Sequence, residues 1–141
     1  MVNLNSELSR LMCRFPSPDV VVIHLGGNDV GQRKTLDIIF SIRDDLLRIH
    51  LLFPTAKIIF SDIIQRLVWL PPFSRRPLEK IRKRINRAVS KLLVESGIFS
   101  FRHTELEGGH AGLYRSDGVH LSDIGLDIFN ADLGSCVESA A

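Results

Sequence analysis

The chain has 141 residues, of which 45% are hydrophobic and 24% charged, a balance typical of one globular domain and not of a disordered segment. Its 18 basic and 16 acidic residues leave a formal net charge of +2, which by itself indicates no polyanionic partner. No apolar run reaches the roughly 18 residues of a membrane span, and two cysteines far apart form no disulfide framework. We therefore expect an intracellular, cytoplasmic protein without a membrane span.

In chain order, residues 1–18 predict a short leading helix or tail, and residues 19–141 predict one α/β domain. Apolar runs predict buried strands at 19–25 and 56–61 and a weaker strand at 98–101. Amphipathic stretches predict helices at about 35–53, about 77–95 and after Ser122. Their inward residues are predicted to be Ile39, Ile42, Leu46, Ile49 and Phe53, then Leu78, Ile81, Ile85, Val89 and Leu92, then Ile124, Ile128 and Leu133. This alternation predicts a three-layer α/β/α fold with a mostly parallel sheet.

Two polar clusters follow predicted strands. In a parallel sheet, active-site residues usually lie beyond the carboxyl ends of the strands. Residues 26–29, Gly-Gly-Asn-Asp, come directly after the first strand, and Asn28 suits an amide donor to a developing oxyanion. Asp117 precedes His120 by three residues, which suits a carboxylate that fixes the imidazole tautomer and leaves Nε2 as a general base. Each cluster taken alone is more simply explained as an ordinary turn, because Gly, Asn and Asp are common turn residues.

Taken together, the two clusters resemble the signature blocks of a known family. Segments 20–30 (VVVIHLGGNDV) and 114–125 (YRSDGVHLSDIG) resemble the N-D and D-x-x-H blocks of the SGNH hydrolases, the GDSL-like esterases and lipases. The amino-acid sequences of both segments are especially similar to the esterase domain in the first open reading frame of LINE-type retrotransposons. The resemblance covers roughly residues 15–135.

The resemblance implies a flavodoxin-like parallel sheet and the hydrolysis of carboxylic esters, with an ester substrate as partner. It implies that His120 is the catalytic base and that Asp117 orients it. It also implies that Asn28 and the backbone of Gly26 serve the oxyanion hole.

The family's nucleophilic serine is the part that this sequence does not match. In the family it lies in a Gly-Asp-Ser block that ends the first strand, ahead of the N-D block, yet residues 1–18 contain no glycine. Ser6, Ser9 and Ser17 follow no apolar strand, and Ser61 is more simply explained as a strand-end hydroxyl. We therefore expect a sheet that is incomplete at its N-terminus, an unknown nucleophile and an inactive or very weak esterase.

The alternative function is a non-catalytic remnant or interaction module. The stretch 75–91 is strongly basic and could contact nucleic acid, although a solvated outer helix face explains it more simply. A strand at 20–23 without its family neighbour also predicts self-association through an exposed edge.

The remaining histidines and aromatic residues suggest no cofactor. His103, His110 and His120 match no compact zinc spacing, so we expect neither a metal nor another cofactor. His24 is expected to be a core histidine with satisfied hydrogen bonds, and residues 69–73 are a candidate lining for an acyl pocket.

Overall fold

The computed structural model describes residues 4–69 and 74–141, which form four α-helices, three short 3-10 helices and three strands. The helices are α1 (Leu4–Met12), α2 (Thr35–Leu52), α3 (Arg75–Leu93) and α4 (Asp123–Ala140), and the strands are β1 (Val20–Ile23), β2 (Lys57–Ser61) and β3 (Phe99–Phe101). The predicted α/β class with a parallel sheet flanked by helices is confirmed. None of the described helices is both long and apolar enough to cross a membrane.

The sheet is parallel throughout and has the strand order β1-β2-β3. In its register Val22 pairs with Ile59, and Ile59 pairs with Phe99. Among the described strands, β1 pairs only with β2 and is therefore an edge. The carboxyl ends of all three strands meet at one edge of the sheet, which is where the predicted site residues should gather.

The core confirms the predicted inner face of α2 and most of that of α3. All five predicted residues of the α2 stripe are buried. In α3, Leu78, Ile85 and Val89 are buried, but Leu92 is 44% exposed and Leu93 takes the inner position. The leading helix α1 is also present, and its Leu8 packs into the same core.

The inner face of α4 agrees with the prediction at Ile128, which packs against a buried cluster, and differs from it at Ile124. Its predicted cap is confirmed, because Ser122 Oγ accepts a hydrogen bond from the Gly125 amide. Ile124 was expected to point inward, yet it is 63% exposed, whereas Gly125 is buried. A Cβ at Gly125 would lie 2.2 Å from the Leu113 carbonyl oxygen, so the close approach of this turn sets the rotation of α4 and turns Ile124 outward.

The basic stretch of α3 is not a uniform solvated face. Arg82 is only 2% exposed, and its Nη1 donates to the Ile63 carbonyl at 2.7 Å while its Nε donates to Glu79 at 2.8 Å. Asn86 closes the same contact, because its amide both donates to the Ile63 carbonyl and accepts from the Ile63 N–H. Part of the predicted basic surface is therefore an interior attachment between α3 and the segment after β2.

The free side of β1 generates a prediction about association. The Asp19 carbonyl accepts a hydrogen bond from the Lys57 N–H, so the backbone groups of Asp19 face β2. Successive residues of a strand direct their N–H and C=O groups to opposite sides, so those of Val20 and Val22 point away from β2. Unpaired edges of apolar strands pair with other chains. We expect the chain to self-associate at micromolar concentration in light-scattering measurements, and we expect Val22→Lys to reduce this association.

The matched control is Val94→Lys, because Val94 is 62% exposed and lies outside the sheet. It should leave association unchanged. A chain that stays monomeric over the whole concentration range and unfolds cooperatively would show that the β1 edge is already protected.

A half-buried carboxylate beside Arg82 generates a second prediction. Burial raises the pKa of Asp62 to about 6, against the opposing effect of Arg82, and the Asp62 Oδ1 atom has no hydrogen-bond partner. The folded state then holds this proton more tightly than the unfolded chain does. Its relative stability is highest below about pH 4 and is lost as the pH rises through about 6.

Asp62→Asn mimics the protonated form and should therefore raise the free energy of unfolding at pH 8 by about 1–2 kcal/mol, after allowance for solvent screening. At pH 4 the variant and the parent should be nearly equal in stability. Urea unfolding at both pH values measures this difference, with the exposed Asp127→Asn as control. An equal effect of Asp62→Asn at both pH values would contradict the raised pKa.

Candidate active site

The turn after β1 positions the predicted oxyanion residue. Gly26 has φ +97°, a left-handed conformation that favours glycine, and its carbonyl accepts from the Asp29 N–H at 3.1 Å. A Cβ at Gly26 would also lie 3.1 Å from the Ile42 side chain, so both the conformation and the packing disfavour any other residue. This turn places Asn28 exposed at the carboxyl edge of the sheet.

Arg66 fixes which way the Asn28 amide points. The guanidinium Nη2 donates to Asn28 Oδ1 at 2.7 Å. Arginine has only donors, so the atom that faces it must be the amide oxygen, and Nδ2 is left to donate elsewhere. The two residues lie 38 positions apart, and Arg66 is a site residue that sequence reasoning missed. Only its position after the second strand could have drawn attention to it.

The Asp117–His120 pair has the geometry expected of a base and its orienting carboxylate. Asp117 Oδ2 lies 2.5 Å from His120 Nδ1, and Oδ1 accepts from the backbone N–H groups of His120 and Val119 at 3.0 and 2.9 Å. The His120 contact and these two amides hold the pKa of Asp117 well below its usual range. An ionised Asp117 accepts the Nδ1 proton, which leaves Nε2 as the basic nitrogen.

The segment after β2 joins the two predicted clusters. The amides of Leu67 and Val68 donate to the Gly118 carbonyl at 2.8 and 3.0 Å, while the preceding residue, Arg66, holds Asn28. A Cβ at Gly118 would lie 2.6 Å from the Val68 side chain, so this contact depends on a glycine between Asp117 and His120. The structure therefore connects Asn28 to the Asp117–His120 pair through residues 66–68, without a direct hydrogen bond between them.

The His120 ring is open to solvent, and no described serine forms a hydrogen bond with it. Its side chain is 70% exposed, and no hydrogen bond within residues 4–69 and 74–141 uses its Nε2. Ser61 is completely buried at the end of β2, where it hydrogen-bonds to His103 and His24 instead. The nucleophile thus stays unassigned.

His24 differs from its predicted role as a core histidine. It follows the last residue of β1, is exposed, and lines a groove of about 580 Å³ together with Asn28 and Arg66. Its Nδ1 lies 2.9 Å from Ser61 Oγ. Within the described part of the chain, no cluster of three or more His, Cys, Asp or Glu residues could hold a metal ion.

The proposed lining for an acyl pocket is only partly visible. Trp69 is buried, its indole N–H donates to Glu79 at 3.2 Å, and the Arg66 guanidinium lies 5.1 Å from the centre of its ring. Residues 70–73 lie outside the described residues, so their part in such a pocket stays a prediction.

Comparison with known proteins identifies the family and the fold. The model of the GDSL-like lipase/acylhydrolase family matches residues 6–128. A GDSL-like lipase from Bacteroides thetaiotaomicron has 22% identity and a TM-score of 0.65, with 89% of this chain and 64% of that chain covered. A family 3 carbohydrate esterase from Talaromyces cellulolyticus has 22% identity and a TM-score of 0.68, with coverage of 86% and 58%.

A third similar structure is a catalytic serine-to-alanine mutant of an acetylxylan esterase from Geobacillus stearothermophilus. It has 16% identity and a TM-score of 0.67, with 93% of this chain and 64% of that chain covered. The chain therefore spans less than two thirds of the length of these three structures. No curated protein gives a significant match.

Proposed function

The chain belongs to the GDSL-like lipase/acylhydrolase family, and from this premise we propose that it is a carboxylic-ester hydrolase domain whose catalytic base is His120. The observation that carries the proposal is the 2.5 Å contact between Asp117 Oδ2 and His120 Nδ1, which directs Nε2 outward as a base. Its structural neighbours include an acetylxylan esterase and a carbohydrate esterase, which supports ester substrates as a class.

In the proposed reaction, His120 Nε2 takes the proton of a hydroxyl nucleophile as that oxygen attacks the ester carbonyl. The ionised Asp117 stabilises the imidazolium that forms. Asn28 Nδ2 donates to the oxyanion, and Arg66 supports this by holding the other side of the amide. The backbone of Gly26 is proposed to complete the same hole.

We expect this chain by itself to be inactive or very weak, because no serine of the described residues forms a hydrogen bond with His120 Nε2. The serines at 6, 9 and 17 lie in or after α1, and Ser61 is buried on other partners. A base and an oxyanion donor without a covalent nucleophile give only general-base assistance to water.

The test is hydrolysis of short-chain p-nitrophenyl esters by the purified chain. The expected rate is no higher than that of free imidazole at equal concentration, and His120→Ala should remove the protein-dependent part. His110→Ala is the matched control, because His110 is also exposed but lies outside the site. A burst followed by turnover that is lost in His120→Ala, or labelling of a serine by a fluorophosphonate, would contradict inactivity. Ser61 would be examined first.

The alternative proposal is a non-catalytic interaction module that contacts nucleic acid through residues 75–91. Arg82 does not take part in such a surface, because it is buried, but the exposed basic residues of α3 still include Lys80, Lys83, Arg84, Arg87 and Lys91. We expect nucleic-acid binding that is weak and disappears near physiological salt. A steep salt dependence that flattens when Arg84, Arg87 and Lys91 are changed to Glu would favour the module instead.

The origin and location of the chain are part of the same proposal. The amino-acid sequences of segments 20–30 and 114–125 support descent from a LINE-type retrotransposon esterase domain. The two cysteines are free, Cys13 exposed and Cys136 buried, which supports a reducing intracellular compartment.

A further inference from the structure

A hydrogen-bonded row of four side chains crosses the carboxyl edge of the sheet, apart from the Asp117–His120 pair. Asp132 Oδ2 of α4 lies 3.0 Å from His103 Nδ1, and His103 Nε2 lies 2.7 Å from Ser61 Oγ. Ser61 Oγ lies 2.9 Å from His24 Nδ1. These four residues come from four different elements or the loops after them, so the row depends on the tertiary fold.

The row is enclosed at its centre and open at one end. Ser61 is 0% exposed and His103 only 3%, which prevents a substrate from reaching the Ser61 hydroxyl. Phe129 stacks on His103 at 4.7 Å between ring centres and lies edge-on to His24 at 5.1 Å. His24 at the open end is exposed and lines the groove that also contains Asn28.

The chemistry of the groups fixes the direction of every hydrogen bond in the row. A carboxylate only accepts, so His103 Nδ1 must carry the hydrogen and, in a neutral ring, His103 Nε2 must accept. The Ser61 hydroxyl then donates to His103, and its oxygen is left to accept from His24 Nδ1–H. Burial lowers the pKa of His103, and the loss of water on the side of the His24 ring that faces Ser61 and His103 lowers the pKa of His24. Both rings are therefore neutral above pH 7.

We propose that Asp132, His103 and Ser61 form a buried relay that holds His24 in its Nδ1–H tautomer. His24 Nε2 then becomes a hydrogen-bond acceptor for a hydroxyl group, of water or of an alcohol, in the groove beside Asn28. The groove thereby offers an acceptor at His24 and an amide donor at Asn28. The relay does not depend on ester hydrolysis, because it uses neither Asp117 nor His120.

The low polarity around the row strengthens the influence of Asp132 on the tautomer of His24. Hydrogen bonds in an apolar enclosure polarise one another, so a change at one end is transmitted to the other. Removing the acceptor at residue 132 frees His103 to carry its hydrogen on Nε2. Ser61 would then accept from His103 and donate to His24 Nδ1, which places the His24 hydrogen on Nε2.

The test is nitrogen-15 NMR of the histidine rings at pH 8, where the two tautomers give distinct signals. In the unchanged chain we expect His24 and His103 both to be in the Nδ1–H form. His24→Gln and His103→Gln each remove one of the five histidine signals and so assign these two rings. An Nε2–H signal for His24 in the unchanged chain overturns the proposal.

Two variants separate the relay from a local effect on one ring. Ser61→Ala should shift His24 from the Nδ1–H form toward the Nε2–H form, although the Ser61 backbone remains near the ring. It should leave His103 in the Nδ1–H form because Asp132 still accepts from it. Asp132→Leu should change the tautomer of both rings, although the hydrogen bonds that connect residue 132 to His24 pass through two other residues. Asp127→Leu on the same helix is the control and should change neither. A His24 signal that is indifferent to both Ser61→Ala and Asp132→Leu refutes the relay.

Discussion

The attachment of α3 to the backbone of Ile63 is the contact on which the arrangement of the site depends. Burying a guanidinium is costly, and Arg82 offsets part of this cost because Nη1 donates to the Ile63 carbonyl and Nε donates to Glu79. Its Nη2 is buried without a hydrogen bond and lies 3.9 Å from a carboxylate oxygen of Glu107. Asn86 binds both the N–H and the C=O of Ile63. The chain that leaves β2 therefore has one fixed course, set by three side chains of one helix.

The segment after β2 connects the two predicted clusters, residues 26–29 and the Asp117–His120 pair. Glu79 Oε1 accepts from the Arg66 backbone N–H at 3.0 Å and from the Trp69 indole, which holds both ends of the segment. Between these points Arg66 reaches Asn28, and the next two amides bind Gly118. A shift of α3 would consequently move Asn28 and the Asp117–His120 pair together, although α3 contributes none of the proposed catalytic groups.

Local patterns in the sequence predicted what depends on neighbouring residues. The helical period gave the inner face of α2, and Ser122 marked the start of α4, because both signals lie within one element. Arg82 was indistinguishable from other basic residues, since its burial depends on a carbonyl 19 positions away. The Arg66–Asn28 contact joins residues 38 positions apart, and the Ser61–His103 contact joins residues 42 positions apart. No spacing rule predicts contacts between residues so far apart in the sequence.

The described residues include the Asp–His pairs Asp132–His103 and Asp117–His120, and comparing them shows what makes such a pair a candidate base. Each carboxylate meets a histidine Nδ1, so each leaves Nε2 as the accepting nitrogen. In the His103 pair a buried serine hydroxyl already occupies Nε2, and the accepting position passes along the row to His24. In the His120 pair the ring is 70% exposed and no described side chain occupies Nε2. The availability of the second ring nitrogen, more than the carboxylate contact, therefore distinguishes a candidate catalytic base from a relay inside the fold.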